Sequence, residues 1–317
     1  MKHLITGAAL AAMLATGAAQ AQETLRMATI APSLGQAITM ATFANIVNDN
    51  LEGVTIEVAG GGAATLHQLE IGRGNLEMSM TSPNIYDLMA AGAAMYQNEA
   101  DAAEAAENVQ LLMWFPYGQY HYAVRGDSDI QLLDDIEGAT VFIGPQGGGA
   151  YHSARRWIEA STGLVVGEDY EAISANWQTG FQAFLDGSVE MYVNGCLDPC
   201  QQFLQFSETE SLRFIQPEMT EGPEVEAFLG EYSFLEEIQT NDGPVISHNT
   251  SVGIAISADL DEELVYQITR AFWENLDQVT SQAPWAAALD VNFAAEQRGQ
   301  MQLHPGARRY YEEVGAL

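Results

Sequence analysis

The sequence predicts an α/β protein built as two lobes with a cleft between them, and three observations lead there. Short runs rich in branched or alternating apolar residues recur, with helix-period stretches between most of them. One strand-like unit, "GNLEMSMTSPN" at 74–84, is echoed by "GSVEMYVNGCLDP" at 187–199. The chain left after a cleavable leader, 296 of 317 residues, is long enough for two lobes with separate cores.

In chain order the leader comes first. Met1-Lys2-His3 is a short cationic start, Leu4 to Ala19 is apolar or small, and "AQA" at 19–21 fits a signal-peptidase site. Residues 1–21 therefore read as a signal peptide, with a soluble periplasmic protein beginning at Gln22. No later run approaches the roughly 20 apolar residues of a membrane helix. Loss of the leader removes Lys2, the only lysine, and leaves 10 arginines against 43 acidic residues, a net charge of −33. Such a surface repels nucleic acid and anionic membranes. A monomer that binds a small molecule and no cofactor is expected.

Strands are expected at 24–30, 54–58, 76–81, 120–125, 140–144, 189–193 and 252–257, in largely parallel sheets. The clearest helix spans 260–279, where Leu260, Leu264, Val265, Ile268, Ala271, Phe272, Leu276 and Val279 fall three or four apart. Asp259 with Glu262 supplies a start resembling a capping box. The echoed units each end a strand in a polar turn, and in open parallel sheets ligands collect at such carboxyl ends.

The segment "VFIGPQGGGAYHSARRW" (141–157) poses the chemical question. An apolar strand meets Gly147-Gly148-Gly149 ahead of a helix, as in phosphate-binding loops. Ala150-Tyr151 stand where a Walker loop needs Lys-Ser/Thr, and His152 occupies the third glycine of a dinucleotide fingerprint. Two readings survive: an ordinary tight turn, or free amides at a helix N-terminus offered to an anion. In the second reading the amides of Gly147 to Gly149 hold one oxygen group, and Gly148→Val abolishes binding where Arg156→Ala does not.

Catalytic and metal motifs are missing. There is no Gly-x-Ser-x-Gly and no His-Glu-x-x-His, and the histidines are scattered. Cys196 and Cys200 read as a disulfide in an oxidising compartment, with free thiols as the alternative; zinc would need two further ligands. In the aromatic stretch "WFPYGQYHY" (114–122), the alternating Tyr120 and Tyr122 suit sheet packing. Tyr117, in the turn between Pro116 and Gly118, suits a ligand contact, as does Trp177 as an apolar wall. Arg125 is the arginine best placed for a direct cationic contact.

The C-terminal "LVYQITRAFWENLDQVTSQAP" (264–284) and "LHPGARRYYEEVG" (303–315) resemble the ending of the TAXI family, the extracytoplasmic solute-binding proteins of TRAP transporters. APSLGQA (31–37), AGGGAATLHQLEIGRGNLEMSM (59–80), YAVRGDSDIQLLDDIEGATVFIGPQGGG (122–149) and FLDGSVEMYVNG (184–195) follow the same order. The resemblance implies a type II-like periplasmic binding protein, hinged around an interlobe ligand cleft. It would hand a small anionic solute, a carboxylate or amino acid, to the permease subunits of an ion-driven transporter. A receptor for an ATP-driven importer and a periplasmic enzyme on the same scaffold are the alternatives. The family's ligand loops fall on Ser33, Gly35 and Gln36; Gly62; Ser82, Asn84 and Tyr86; Gln146, Gly147, Gly148 and Tyr151; and Asn194-Gly195. Lobe one is expected over 22–119 and 250–317, and lobe two over 120–249.

Overall fold

The computed structural model describes residues 22–317 apart from 117, 197–199, 209, 231, 232, 241 and 281–283. The expected leader and Tyr117 thus lie outside the described residues. Among those described, no helix is long and apolar enough to cross a membrane.

The chain opens with β1 (Glu23–Thr29), α1 (Gly35–Asn50), β2 (Val54–Gly60), α2 (Ala64–Gly72), β3 (Met78–Thr81), α3 (Pro83–Ala90), α4 (Ala102–Ala106) and β4 (Val109–Phe115). It continues through β5 (Tyr120–Arg125), β6 (Thr140–Phe142), α5 (Gly149–Thr162), β7 (Glu171–Ala172), α6 (Trp177–Leu185), β8 (Met191–Gly195), α7 (Gln201–Ser207) and β9 (Leu212–Phe214). After α8 (Pro223–Leu229) and the antiparallel hairpin β10 (Ser233–Ile238) and β11 (Val245–Thr250) comes β12 (Val252–Ser257). The last part is helical: α9 (Glu262–Asn275), α10 (Asp277–Thr280), α11 (Val291–Ala295) and α12 (Pro305–Glu313).

Two five-stranded sheets result, ordered β2-β1-β3-β12-β4 and β7-β6-β8-β5-β9. Both are mixed, which corrects the expectation of largely parallel sheets. β1 runs parallel to β2 and β3, but β12 is antiparallel to β3 and β4. Likewise β6 is parallel to β7 and β8, while β5 is antiparallel to β8 and β9. The physical reason is the crossing. β5 and β12 are the first strands after the chain passes from one sheet to the other, and each enters its new sheet from the end facing the other lobe.

The two crossing segments lie side by side. The Thr250 amide donates to the Gly118 carbonyl at 3.2 Å, and Gln119 bridges Asn249. Gly118 is obligatory here, since a Cβ would sit 1.7 Å from the Thr250 carbonyl oxygen. The sequence echo becomes structural: β3 and β8 are each the third strand of five, with a parallel neighbour on one side and an antiparallel one on the other.

Helices cover both faces of each sheet. In the first, α1, α9, α11 and α12 bury Phe43, Val47, Val265, Phe272 and Tyr311 against one face, and α2 to α4 bury Leu69, Ile85 and Ala105 on the other. In the second, Trp157 and Phe228 pack on one face and Phe184, Tyr192 and Phe206 on the other. The expected helix 260–279 exists as α9 and α10, parted at Leu276. Its N-cap is Asp261, whose side chain accepts from the Leu264 amide at 3.1 Å, and not Asp259.

Candidate functional site

In both lobes the strand ends that face the crossing run directly into helices. Leu34, Ala63 and Ser82, the N-cap residues of α1, α2 and α3, and Gly148 and Asn176, those of α5 and α6, all line one cavity of about 420 Å³. A helix N-terminus presents unsatisfied backbone N–H groups and the positive end of the helix dipole. Of these five, only Asn176 caps its own helix, accepting from the Thr179 amide at 2.9 Å. None of the five has an acidic residue in its first turn. At several other helices the chain does the opposite. Asp261 and Asp290 cap α9 and α11, and α9 opens on Glu262 and Glu263. In a protein with 43 acidic residues, their exclusion from these five termini gives the cavity its positive sign.

Among the described residues the walls are uncharged: no Asp, Glu, Lys, Arg or His of these lines the cavity. Ile30, Met80, Ile85, Trp177 and Val252 form its apolar surface, and Tyr120, Gln36, Ser82, Asn84, Asn194 and Thr250 its polar points. Burial pushes the Tyr120 phenol up to about 12, against an opposing hydrogen bond from Ser153, so it stays a neutral hydroxyl. The Asn84 carbonyl oxygen accepts from the Ile85 amide at 3.1 Å and from the Ser82 hydroxyl, which leaves the Asn84 NH₂ to face outward as a donor. Asn194 is arranged the other way. Its NH₂ donates to Gln202 Oε1 at 2.7 Å and approaches Cys200 Sγ at 3.5 Å, and Gln202 Oε1 also accepts from the Tyr192 hydroxyl at 2.9 Å.

The cavity is enclosed because the lobes touch across it. Gln36 Nε2 donates to the Gly195 carbonyl, and Thr65 Oγ1 donates to the Gly147 carbonyl at 2.9 Å. Ile85 of α3 abuts Gly149 of α5.

Eight of the residues expected from the sequence line the cavity: Gln36, Gly62, Ser82, Asn84, Gly148, Trp177, Asn194 and Gly195. Six do not. Ser33 is exposed in the turn before α1, and Gly35 begins that helix beside the cavity. Tyr86 and Tyr151 are half-buried against the cores of their own lobes. Gln146 and Gly147 are exposed, and the Gly147 carbonyl serves the interlobe contact. The glycine amides divide differently from the expectation too. The Gly148 amide donates to Pro145 O at 2.8 Å, so the first-turn amides of α5, from Gly149 onward, are the ones turned to the cleft.

Arg125 is not a cleft residue. Its Nη2 donates to the carbonyls of Phe184 and Leu185 at 2.5 and 2.8 Å, and its guanidinium lies over the Phe184 and Phe206 rings. It holds the last turn of α6. Cys196 and Cys200 form the disulfide, with Cα atoms 5.8 Å apart, and free thiols are thereby excluded. Tyr122 is packing, as expected, but Tyr120 both packs and lines the cavity. Sequence reasoning missed Asn176, although an asparagine directly before an amphipathic run is an N-cap signal. Leu34 carried no signal, since an apolar N-cap looks like any loop leucine.

Comparison with known proteins agrees with this architecture. The periplasmic binding protein BugD superposes with a TM-score of 0.57 at 10% identity, covering 84% of this chain and 87% of that one. The alkanesulfonate-binding protein SsuA from Xanthomonas axonopodis pv. citri, bound to MOPS, gives 0.54 at 14% identity over 84% and 77%. A structure concerning glutathione import via GshT and the cystine ABC importer TcyBC of Streptococcus mutans gives 0.51 at 11% identity over 84% and 95%. At such identities these likenesses establish the fold. The NMT1-like family matches residues 33–315, nearly the whole described chain. The chain therefore belongs to the NMT1-like family and has the fold of a periplasmic solute-binding protein.

Proposed function

We propose that this protein is a periplasmic receptor that closes over a small anionic solute, a carboxylate, and delivers it to a membrane permease. The carrying observation is the convergence of five helix N-termini, free of acidic residues, on an uncharged cavity between two lobes. Such termini attract an anion by roughly 0.3–1 kcal/mol each when exposed and by more when enclosed. The lobes are 22–119 with 250–317, and 120–249, a division supported by the sheet membership of their strands. The leader at 1–21 supports export.

Closure tests the receptor. Adding a saturating carboxylate to ligand-free protein lowers the radius of gyration in small-angle scattering; an unchanged radius refutes the hinge. A solute recovered chemically unchanged separates a receptor from an enzyme on this scaffold.

For the permease, the resemblance of 303–315 and the glycine-containing loops to the TAXI family supports a TRAP transporter driven by an ion gradient. The structural likeness to proteins serving ATP-driven importers favours the second reading. Uptake by spheroplasts given the purified receptor distinguishes them. A TRAP system fails when the ion gradient is collapsed, and an ATP-driven importer fails when ATP hydrolysis is blocked.

A further inference from the structure

Asn194 carries information about the solute that the helix termini do not. It is 2% exposed and lines the cavity. Its NH₂ is committed to Gln202 Oε1 and Cys200 Sγ. A disulfide sulfur has no hydrogen to give, so the group facing Cys200 must be the NH₂ and not the carbonyl. The Asn194 Oδ1 receives no hydrogen bond from any described residue, and it is not among the fully enclosed side-chain oxygens left without a partner, so it opens on the cavity. A solute that displaces water from this carbonyl has to replace the donor it removes, and an anionic oxygen cannot do so. The solute that fits here brings an O–H or N–H to this point.

The walls choose between them. An ammonium would enter a cavity whose described lining offers no carboxylate to meet it, beside five positive helix ends. A second carboxylate would find no arginine or lysine among the described lining residues. A hydroxyl fits both restrictions, and Trp177, Met80 and Ile85 offer an apolar surface for the rest of the molecule.

Resting on the receptor reading above, we propose that the solute is a hydroxylated monocarboxylate whose hydroxyl donates to Asn194 Oδ1, with Gln202 as the positioning residue that keeps this oxygen turned to the cavity. Two matched sets of probes test it by calorimetry on the full mature chain. One is 2-hydroxy-4-methylpentanoate, 4-methylpentanoate and leucine; the other is 3-phenyllactate, 3-phenylpropanoate and phenylalanine. The hydroxy acid is expected to bind about tenfold or more tighter than its deoxy partner, and the amino acid weakest. In Gln202→Leu the hydroxy-to-deoxy ratio falls towards one while the deoxy acid binds as before. In Gln202→Glu, which can still accept from both Asn194 and Tyr192, the ratio is kept. Equal binding of hydroxy and deoxy acids, tightest binding of the amino acids, or an unchanged ratio in Gln202→Leu overturns this proposal and leaves the receptor standing. If no probe binds and none compacts the protein, both fall.

Discussion

Placing a side chain on Gly149 separates closure from folding. A Cβ built there would lie 2.8 and 2.9 Å from Cγ1 and Cδ1 of Ile85, a residue of the opposite lobe. Gly149 is not among the glycines with positive φ, so its backbone accepts a side chain without strain. The clash exists only while the lobes are together. Overpacking of this kind costs about 1–3 kcal/mol, and here it falls on the closed state alone. Gly149→Val should then weaken binding by roughly 5- to 150-fold, on the scale of 1.4 kcal/mol per factor of ten. The melting temperature of ligand-free, open protein should scarcely change. Calorimetry with the tightest hydroxy acid, together with scattering, reads both effects. Gly147→Ala is the control, since nothing lies within 4 Å of its Cβ. At Gly148 the nearest atom is Pro145 O at 3.1 Å, within the same lobe, so Gly148→Val, which the sequence offered as a test of the amide cradle, does not report on closure. In an Ile85→Ala background the cost of Gly149→Val should shrink. Wild-type affinity in Gly149→Val, or an equal cost in both backgrounds, would falsify the reasoning.

Arg125→Ala should lower stability by about 1–3 kcal/mol, because it strips two carbonyls at the end of α6 of their donor. Affinity should hold, and loss of binding at unchanged melting temperature would restore Arg125 to the cleft. Replacing both Cys196 and Cys200 by Ser should cost at most about 2 kcal/mol of stability, since the bridge closes only a short loop. The hydroxy-to-deoxy ratio should drop as well, because Asn194 loses the Cys200 contact; a large stability loss with an intact ratio contradicts that role. Burial lowers His248 to about 3 and His121 to about 4, far below the usual histidine range near 6.5. Both are neutral in the folded protein but bind protons when unfolded. Their share of stability is full above about pH 6.5 and declines as pH falls towards 4, by about 1.4 kcal/mol per pH unit for each. Chemical unfolding of wild type and His121→Gln across pH 4–7 should show a shallower slope in the variant, and parallel slopes would refute the assignment.

Local patterns in the sequence were enough for β1, β2, β3, β5, β6, β8 and β12, for α9 and for the presence of two similar units, but not for β4, β7, β9, β10 and β11. Apolar periodicity is a property of neighbours in the chain, and burial follows it: Leu264, Val265, Ile268 and Phe272 all face the core. The residues Ser82, Asn84, Asn194 and Gly195 were legible as well, because they lie at strand ends where ligands gather, and Gln36 and Gly62 through the resemblance to the TAXI family. The short cysteine spacing was likewise enough to suggest the disulfide.

Strand direction in the sheets was decided only by the tertiary structure, since the pattern of a strand is the same whichever way it enters. The role of each arginine was decided there too. Arg125 looked available in the sequence, but its guanidinium lies over Phe184 and Phe206, residues distant along the chain. Five helix starts scattered from Leu34 to Asn176 become one positive cavity only when two sheets are brought face to face. The direction in which Asn194 offers its carbonyl depends on Gln202 and the disulfide around it. A sequence specifies which groups are present and how they are spaced along the chain. Which of them meet, and which atom of an amide faces a solute, depends on contacts between segments that no local pattern records.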